Sequence, residues 1–234
     1  MSTSSSLWQS SLADFQHAVE TRSTPGCGAA AALNGCLGLS LILKGVRLHR
    51  GESDRDLHRR LVAEGDALHD ALASAVDDDA AAFADYLDAQ HLPHDTDAEA
   101  NRRDSALREA RDASIRIPLA AAERCREGLA LAVEALAMTS EAMRSDTLAG
   151  ATMLRAAQEA LLIGVEATWK HWPTRRRAGS WRRAVVRFVP TLAPTVGGWA
   201  WTPDRGVALS AICFSPVSAR STTLRPAIEK PAPG

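Results

Sequence analysis

The sequence predicts an all-α, antiparallel multi-helix bundle followed by an irregular C-terminal tail. Three observations predict it. Of the 234 residues, 46% are hydrophobic but only 5% are aromatic, so the core must be built from Ala, Leu, Val and Ile, which suits closely packed helices better than a β-sandwich. Apolar residues recur at helical spacing through the first two thirds of the chain. The composition then changes near Thr168: only Pro25, Pro93 and Pro118 of the 11 prolines and only Trp8 of the six tryptophans precede it, and the only acidic residues after it are Asp204 and Glu229.

Taken in order, residues 7–21 form a short amphipathic helix with Leu12, Phe15 and Val19 on one face. The Ser23-Thr24-Pro25-Gly26-Cys27-Gly28 segment is a turn. It feeds an Ala- and Gly-rich helix over residues 29–43, whose small residues suit a central, buried position. Leu57, Leu61, Leu68 and Leu72 mark the core stripe of a helix over 54–76. Residues 79–90 continue as helix and stop before Pro93. Residues 97–117 are helical, Pro118 marks a kink or restart, and 119–143 are helical again. Ser145-Asp146 caps a last helix through residue 165. The chain shows no internal repeat.

Charge and cysteine usage narrow the function classes. The formal net charge of -1 gives no global drive toward nucleic acid. Cys27, Cys36, Cys125 and Cys213 form no CxxC pair, no signal peptide is evident, and no uninterrupted apolar run suggests a membrane span. The expectation is a cytoplasmic protein with no nucleic-acid or membrane partner.

Several motifs stand in a recognisable order. Thr24-Pro25-Gly26-Cys27-Gly28-Ala29-Ala30 opens the Ala-rich helix. Asp77-Asp78-Asp79-Ala80-Ala81-Ala82-Phe83 follows on a long helix, then the Leu92-Pro93 turn, Arg102-Arg103, Ile117-Pro118-Leu119 and Ser145-Asp146. In order and spacing, residues 7–167 resemble the formiminotetrahydrofolate cyclodeaminase/methenyltetrahydrofolate cyclohydrolase family. Two departures are plain: Cys27 stands where the family has the middle glycine of its turn, and Gly45-Val46-Arg47-Leu48-His49 replaces a basic Gly-Lys-Lys-Lys-Tyr segment.

The resemblance implies a cyclodeaminase-type helical bundle over residues 1–167, a homodimer, and a folate one-carbon enzyme acting on a tetrahydrofolate derivative without metal or cofactor. It implies one of two reactions. Hydrolysis of 5,10-methenyltetrahydrofolate gives 10-formyltetrahydrofolate; cyclisation of 5-formiminotetrahydrofolate releases ammonia. Standalone chains of this size lean toward the cyclohydrolase. The alternative is a catalytically inactive helical dimer, either a folate-binding module or the product of a truncated or frameshifted gene.

Both reactions need a group that accepts and returns a proton beside one amidine carbon. Asp79 is the first catalytic candidate, because clustered carboxylates raise one another's pKa; the plain alternative is an acidic helix start. Asp146 is the second, against a simple N-cap. For substrate binding the candidates are Gly26, Cys27 and Gly28, whose backbone N–H groups precede a helix and suit a carboxylate, together with Asp77, Arg47, Arg102 and Arg103. The plain readings are a tight turn for the glycines and solvated helix faces for the arginines. Cys27 as a nucleophile with a depressed pKa is a minor reading, and His91 with His94 reads as loop histidines rather than a metal pair.

The family continues after the last helix with Asn-Val-x-x-Asn and an acidic helix, where this chain has Gly164-Val165-Glu166-Ala167-Thr168-Trp169. Read from the third base of codon 168, the genetic code permits Leu-Glu-Ala-Leu-Ala-Asp, a helix start. The expectation is a single-base deletion near codon 168, with a genuine Pro-, Trp- and Arg-rich tail over 168–234 as the alternative. Arg175-Arg176-Arg177 with Trp169, Trp172 and Trp181 imitates a nucleic-acid patch, and the frameshift accounts for it more simply.

Overall fold

The computed structural model describes residues 6–49 and 54–170, with side chains through 168. Among these residues every regular element is helical: α1 (Leu12–Thr21), α2 (Cys27–Arg47), α3 (Arg55–Gln90), α4 (Asp97–Met138) and α5 (Arg144–Lys170), with 3-10 turns at Leu7–Gln9 and Glu141–Met143. The expected tail and the triple-arginine patch lie outside the described residues.

Local chemistry fixes the helix starts. Ser11 caps α1, its hydroxyl accepting the Asp14 N–H at 3.1 Å. Thr96 and Glu99 form a reciprocal capping box at the start of α4. The α2 start has no side-chain cap, because Gly26 is its N-cap residue; an acid from another helix takes its place, as described below.

Four boundaries differ from the sequence reading. The helix expected over 7–21 breaks into a 3-10 turn and α1, because Ser11 is a better cap than continuation residue. The segments expected over 54–76 and 79–90 are one helix, α3. Pro118 neither stops nor restarts α4, which runs through it with Pro118 buried and ends at Met138. Ser145 and Asp146 lie inside the first turn of α5, which begins at Arg144, so neither is the cap.

Helix α2 is central, packed on α3, α4 and α5. Side-chain neighbours give the register. Gly28 lies against Asp79, Gly35 against Leu72, and Gly65 against Leu43, so α3 runs antiparallel to α2. Gly35 lies against Ala157 and Gly38 against Gly150 and Met153, so α5 is antiparallel to α2 as well. Arg60 pairs with Glu134, and Arg111 stacks 5.4 Å from the Tyr86 ring centre, so α4 returns antiparallel along α3. Beyond Asp79, α3 and the start of α4 project past α2 as a two-helix hairpin.

The core holds Leu39, Ile42, Leu61, Leu72, Ile115 and Leu154, all at most 1% exposed, each contributing about 1.5–3 kcal/mol by burial. The closest helix approach is α2 on α5. A Cβ on Gly38 would sit 2.7 Å from the Gly150 carbonyl oxygen, so only glycine permits this contact.

By length and hydropathy alone, the segments Cys27–Arg47 and Glu141–Thr168 would suffice to cross a membrane. Neither is an uninterrupted apolar run: Asn34 and Ser40 interrupt the first, and Arg155 and Glu159 the second. The α2 window is 61% buried within the described structure, as a central bundle helix should be.

Candidate functional site

The α2 N-terminus gathers four of the candidate residues. Gly26, Cys27 and Gly28 form its first turn, and α3 brings Asp79 across to it. The Asp79 side chain accepts a hydrogen bond from the Ala29 N–H. Its carboxyl lies where a Gly28 side chain would be, with Oδ2 only 2.5 Å from an ideal Gly28 Cβ. Asp79 thus does for α2 from outside what a capping side chain does from within, next to the positive end of the helix dipole.

Burial pushes the Asp79 carboxyl above the ordinary carboxylate range, and the Ala29 hydrogen bond only partly opposes this. The expected cause was repulsion within the Asp77–Asp79 cluster; the structure shows desolvation instead, because three successive helix residues point in different directions. Asp78 is exposed. The Asp77 carboxylate accepts hydrogen bonds from the Ser6 hydroxyl at 2.6 Å and the Leu7 N–H at 2.7 Å. Trp8 Nε1 donates to the Ala73 carbonyl beside it at 3.0 Å. Asp77 therefore anchors the 3-10 turn onto α3.

Cys27 is solvent-accessible, and its sulfur faces α5 where Gly164 carries no side chain. Partial burial, then the Asp79 charge, push its thiol up, outweighing the nearby backbone N–H groups. The minor reading of Cys27 as a nucleophile with a depressed pKa therefore falls: the thiol is protonated at neutral pH and is a poor nucleophile.

The remaining candidates lie elsewhere. Asp146 accepts an ion-paired hydrogen bond from Lys44 Nζ at 2.6 Å, and Arg47 pairs with Asp66, both at the C-terminal end of α2. Lys44 is 16 positions from Gly28 along one helix, so the Asp79 and Asp146 clusters are about 24 Å apart within one chain. Arg103 Nη2 donates to the Gln90 carbonyl at 3.4 Å, and Arg102 is exposed beside it. Gln90 is 11 positions beyond Asp79 on α3, about 16 Å further along the helix. The His91 ring Nδ1 lies 2.7 Å from the Leu87 carbonyl oxygen. No group of three His, Cys, Asp or Glu side chains converges among the described residues.

Sequence reasoning passed over Lys44. Its signal was available: no charged residue lies between Arg22 and Lys44, so Lys44 is the first charge on α2 and Arg47 the only other.

The chain has relatives among known proteins in sequence and in fold. A formiminotransferase-cyclodeaminase family model matches residues 11–185. The chain is similar to formimidoyltransferase-cyclodeaminase of Sus scrofa, 36% identical over 166 residues that make up 68% of this chain and 29% of the relative. It is also similar to methenyltetrahydrofolate cyclohydrolase of Methylorubrum extorquens, 33% identical over 114 residues, 47% of this chain and 54% of the relative. It therefore spans under a third of the first and about half of the second. Its fold matches the crystal structure of formiminotetrahydrofolate cyclodeaminase from Thermotoga maritima with a TM-score of 0.67 at 17% identity, covering 77% of this chain and 89% of that one. With three quarters of its length matched by the family model and the same helical fold, the chain belongs to the formiminotransferase-cyclodeaminase family.

Proposed function

We propose that this protein is a folate one-carbon enzyme, acting as a cyclohydrolase on 5,10-methenyltetrahydrofolate or as a cyclodeaminase on 5-formiminotetrahydrofolate, with Asp79 as the group that moves the proton. The observation that carries this reading is the desolvated Asp79 carboxyl on the α2 N-terminus. No cation among the described residues lowers its pKa.

Such a carboxylate suits a cationic substrate. In the hydrolysis, Asp79 accepts a proton as water adds to the methenyl carbon, and the C–N5 bond breaks as N5 takes a proton back. The products are 10-formyltetrahydrofolate and one released proton. In the cyclisation, N10 adds to the formimino carbon, Asp79 takes the N10 proton, and the leaving nitrogen departs protonated as ammonia. Each direction uses the carboxylate once as base and once as acid, and a positioned group of this kind supplies about 10²–10⁴-fold. Its negative charge also stabilises the methenyl cation.

The test is the near-ultraviolet absorbance of 5,10-methenyltetrahydrofolate with the purified chain. Decay above the buffer rate, lost in Asp79→Asn, supports the cyclohydrolase. Growth of the same absorbance from 5-formiminotetrahydrofolate, with ammonia released, supports the cyclodeaminase. A folded chain that does neither refutes both and leaves the inactive dimer.

A further inference from the structure

Past Asp79, α3 outruns α2, and the stripe of α3 that packs on α2 is left uncovered. Leu61, Leu68, Leu72 and Val76 on that stripe are buried. Asp79, Phe83 and Tyr86 continue it at positions i, i+4 and i+7, which lie within about 60° of one another round the helix. Phe83 is 39% exposed and Tyr86 is half-buried. Their ring centres are 6.2 Å apart, with the planes tilted by 35°. Arg111 of α4 lies over the Tyr86 ring, its guanidinium carbon 5.4 Å from the ring centre, and it makes no ion pair among the described residues. The other acids of this stretch point elsewhere: Asp77, Asp78, Asp85 and Asp88 are each turned about 100° or more from Asp79.

One face therefore presents three chemistries in line. A carboxylate stands at Asp79, an aromatic ring about 6 Å further along the helix at Phe83, and a cation on an aromatic ring about 10 Å along, at Tyr86 with Arg111. The phenyl ring left in water gains none of the burial that holds the stripe below it. A guanidinium resting on an aromatic ring keeps its N–H edge for a carboxylate.

We propose that this stripe recognises the part of the substrate beyond the reacting carbon: the p-aminobenzoyl ring stacks on Phe83, and Arg111, seated on Tyr86, holds a carboxylate of the glutamate. This rests on the folate reading of Asp79. The order of groups along the substrate makes the match. The methenyl or formimino group at the reacting carbon carries the positive charge. The p-aminobenzoyl ring is bonded to N10, beside that carbon. Glutamate follows on the far side of the ring, and its two carboxylates are the anionic groups of the substrate. Cation, ring and anion thus meet anion, ring and cation in the same sequence. Reversing the substrate would set its carboxylates on Asp79 and its cation on Arg111, so the stripe also fixes which way the substrate lies.

Binding without turnover tests the proposal. The probes are 5-formyltetrahydrofolate, which carries the glutamate, and 5-formyltetrahydropteroate, which lacks it, each titrated by calorimetry into the purified full chain. Phe83→Leu should weaken both probes by about 2–10-fold, the loss of one ring stack, and Phe83→Tyr should bind as wild type does. Arg111→Gln should weaken 5-formyltetrahydrofolate by about 10-fold and leave 5-formyltetrahydropteroate unchanged, a difference that a merely structural arginine would not produce. In turnover, Arg111→Gln should raise KM and largely keep kcat, the reverse of Asp79→Asn. Helical circular dichroism should stay at the wild-type level throughout; if Phe83→Leu loses it, the two Arg111→Gln titrations decide alone.

Wild type and both variants binding both probes equally would overturn the proposal and leave the folate reading in place. Arg111→Gln weakening the two probes alike also overturns it. If Phe83→Leu turns a larger species into a monomer by light scattering with probe affinity unchanged, the ring belongs to a contact between copies and the proposal fails. A folded wild-type chain that binds neither probe overturns the folate reading and this inference with it.

Discussion

Gly28→Ala separates a functional Asp79 from a merely structural one. An added Cβ would lie 2.5 Å from Asp79 Oδ2 and closer to the other carboxyl atoms, against an optimal separation of about 3.5–4.0 Å. The carboxyl group ends a short side chain, so it can swing aside. It then loses the Ala29 N–H and its place on the α2 N-terminus. Overpacking of this size costs about 1–3 kcal/mol, and alanine in a helix recovers about 0.5–1 kcal/mol, leaving a net loss of about 0–2.5 kcal/mol. In a chain of this size that lowers the melting temperature by up to about 10 °C. Turnover of 5,10-methenyltetrahydrofolate should fall much further, about 10²–10⁴-fold, because displacing the carboxylate removes the proton acceptor. Circular-dichroism melts and the absorbance assay read the two effects separately. Asp79→Ala should absorb the steric cost, so the double variant should melt within about 2 °C of Asp79→Ala alone. A Gly28→Ala protein with wild-type turnover and an unchanged melt would refute both the geometry and the role given to Asp79.

Three further outcomes follow from the same structure. The Asp79 carboxyl has a raised pKa in the fold, so it favours the folded state most below its ordinary value of 3.8 and loses that contribution as pH rises through the folded value. Asp79→Asn should therefore melt higher than wild type at pH 7, with the gap closing toward pH 4; a gap that widens in acid contradicts the burial argument. Gly150→Ala drives a Cβ into the Gly38 carbonyl and comes within 2.9 Å of Ile42 Cγ1, so it should cost about 2–4 kcal/mol, measurable in urea unfolding. Gln158 is 1% exposed and its Oε1 has no hydrogen-bond partner. Gln158→Met should raise the melting temperature by a few degrees, since an unpaired buried acceptor costs about 1–3 kcal/mol.

The sequence by itself determined the helical class, the central place of α2 and the Asp79 candidate. Helical spacing, Ala and Gly content and an uncharged run ending at Lys44 are local properties that survive any packing. Motif order also carried the family. Helix ends were legible only where a cap declares itself, as at Thr96 with Glu99; Pro118 misled because a long helix packed on two neighbours can carry one proline. The grouping of the site was a tertiary matter. Asp77 and Asp79 are two positions apart in sequence, yet one is used by the Ser6–Leu7 turn and the other by the α2 N-terminus, because successive helix residues point about 100° apart. Asp146 and Arg47 are far apart in sequence but meet the same end of α2, each already paired. The raised pKa of Asp79 comes from what buries it, and burial belongs to the packed bundle, since no short stretch of sequence contains both α2 and α3.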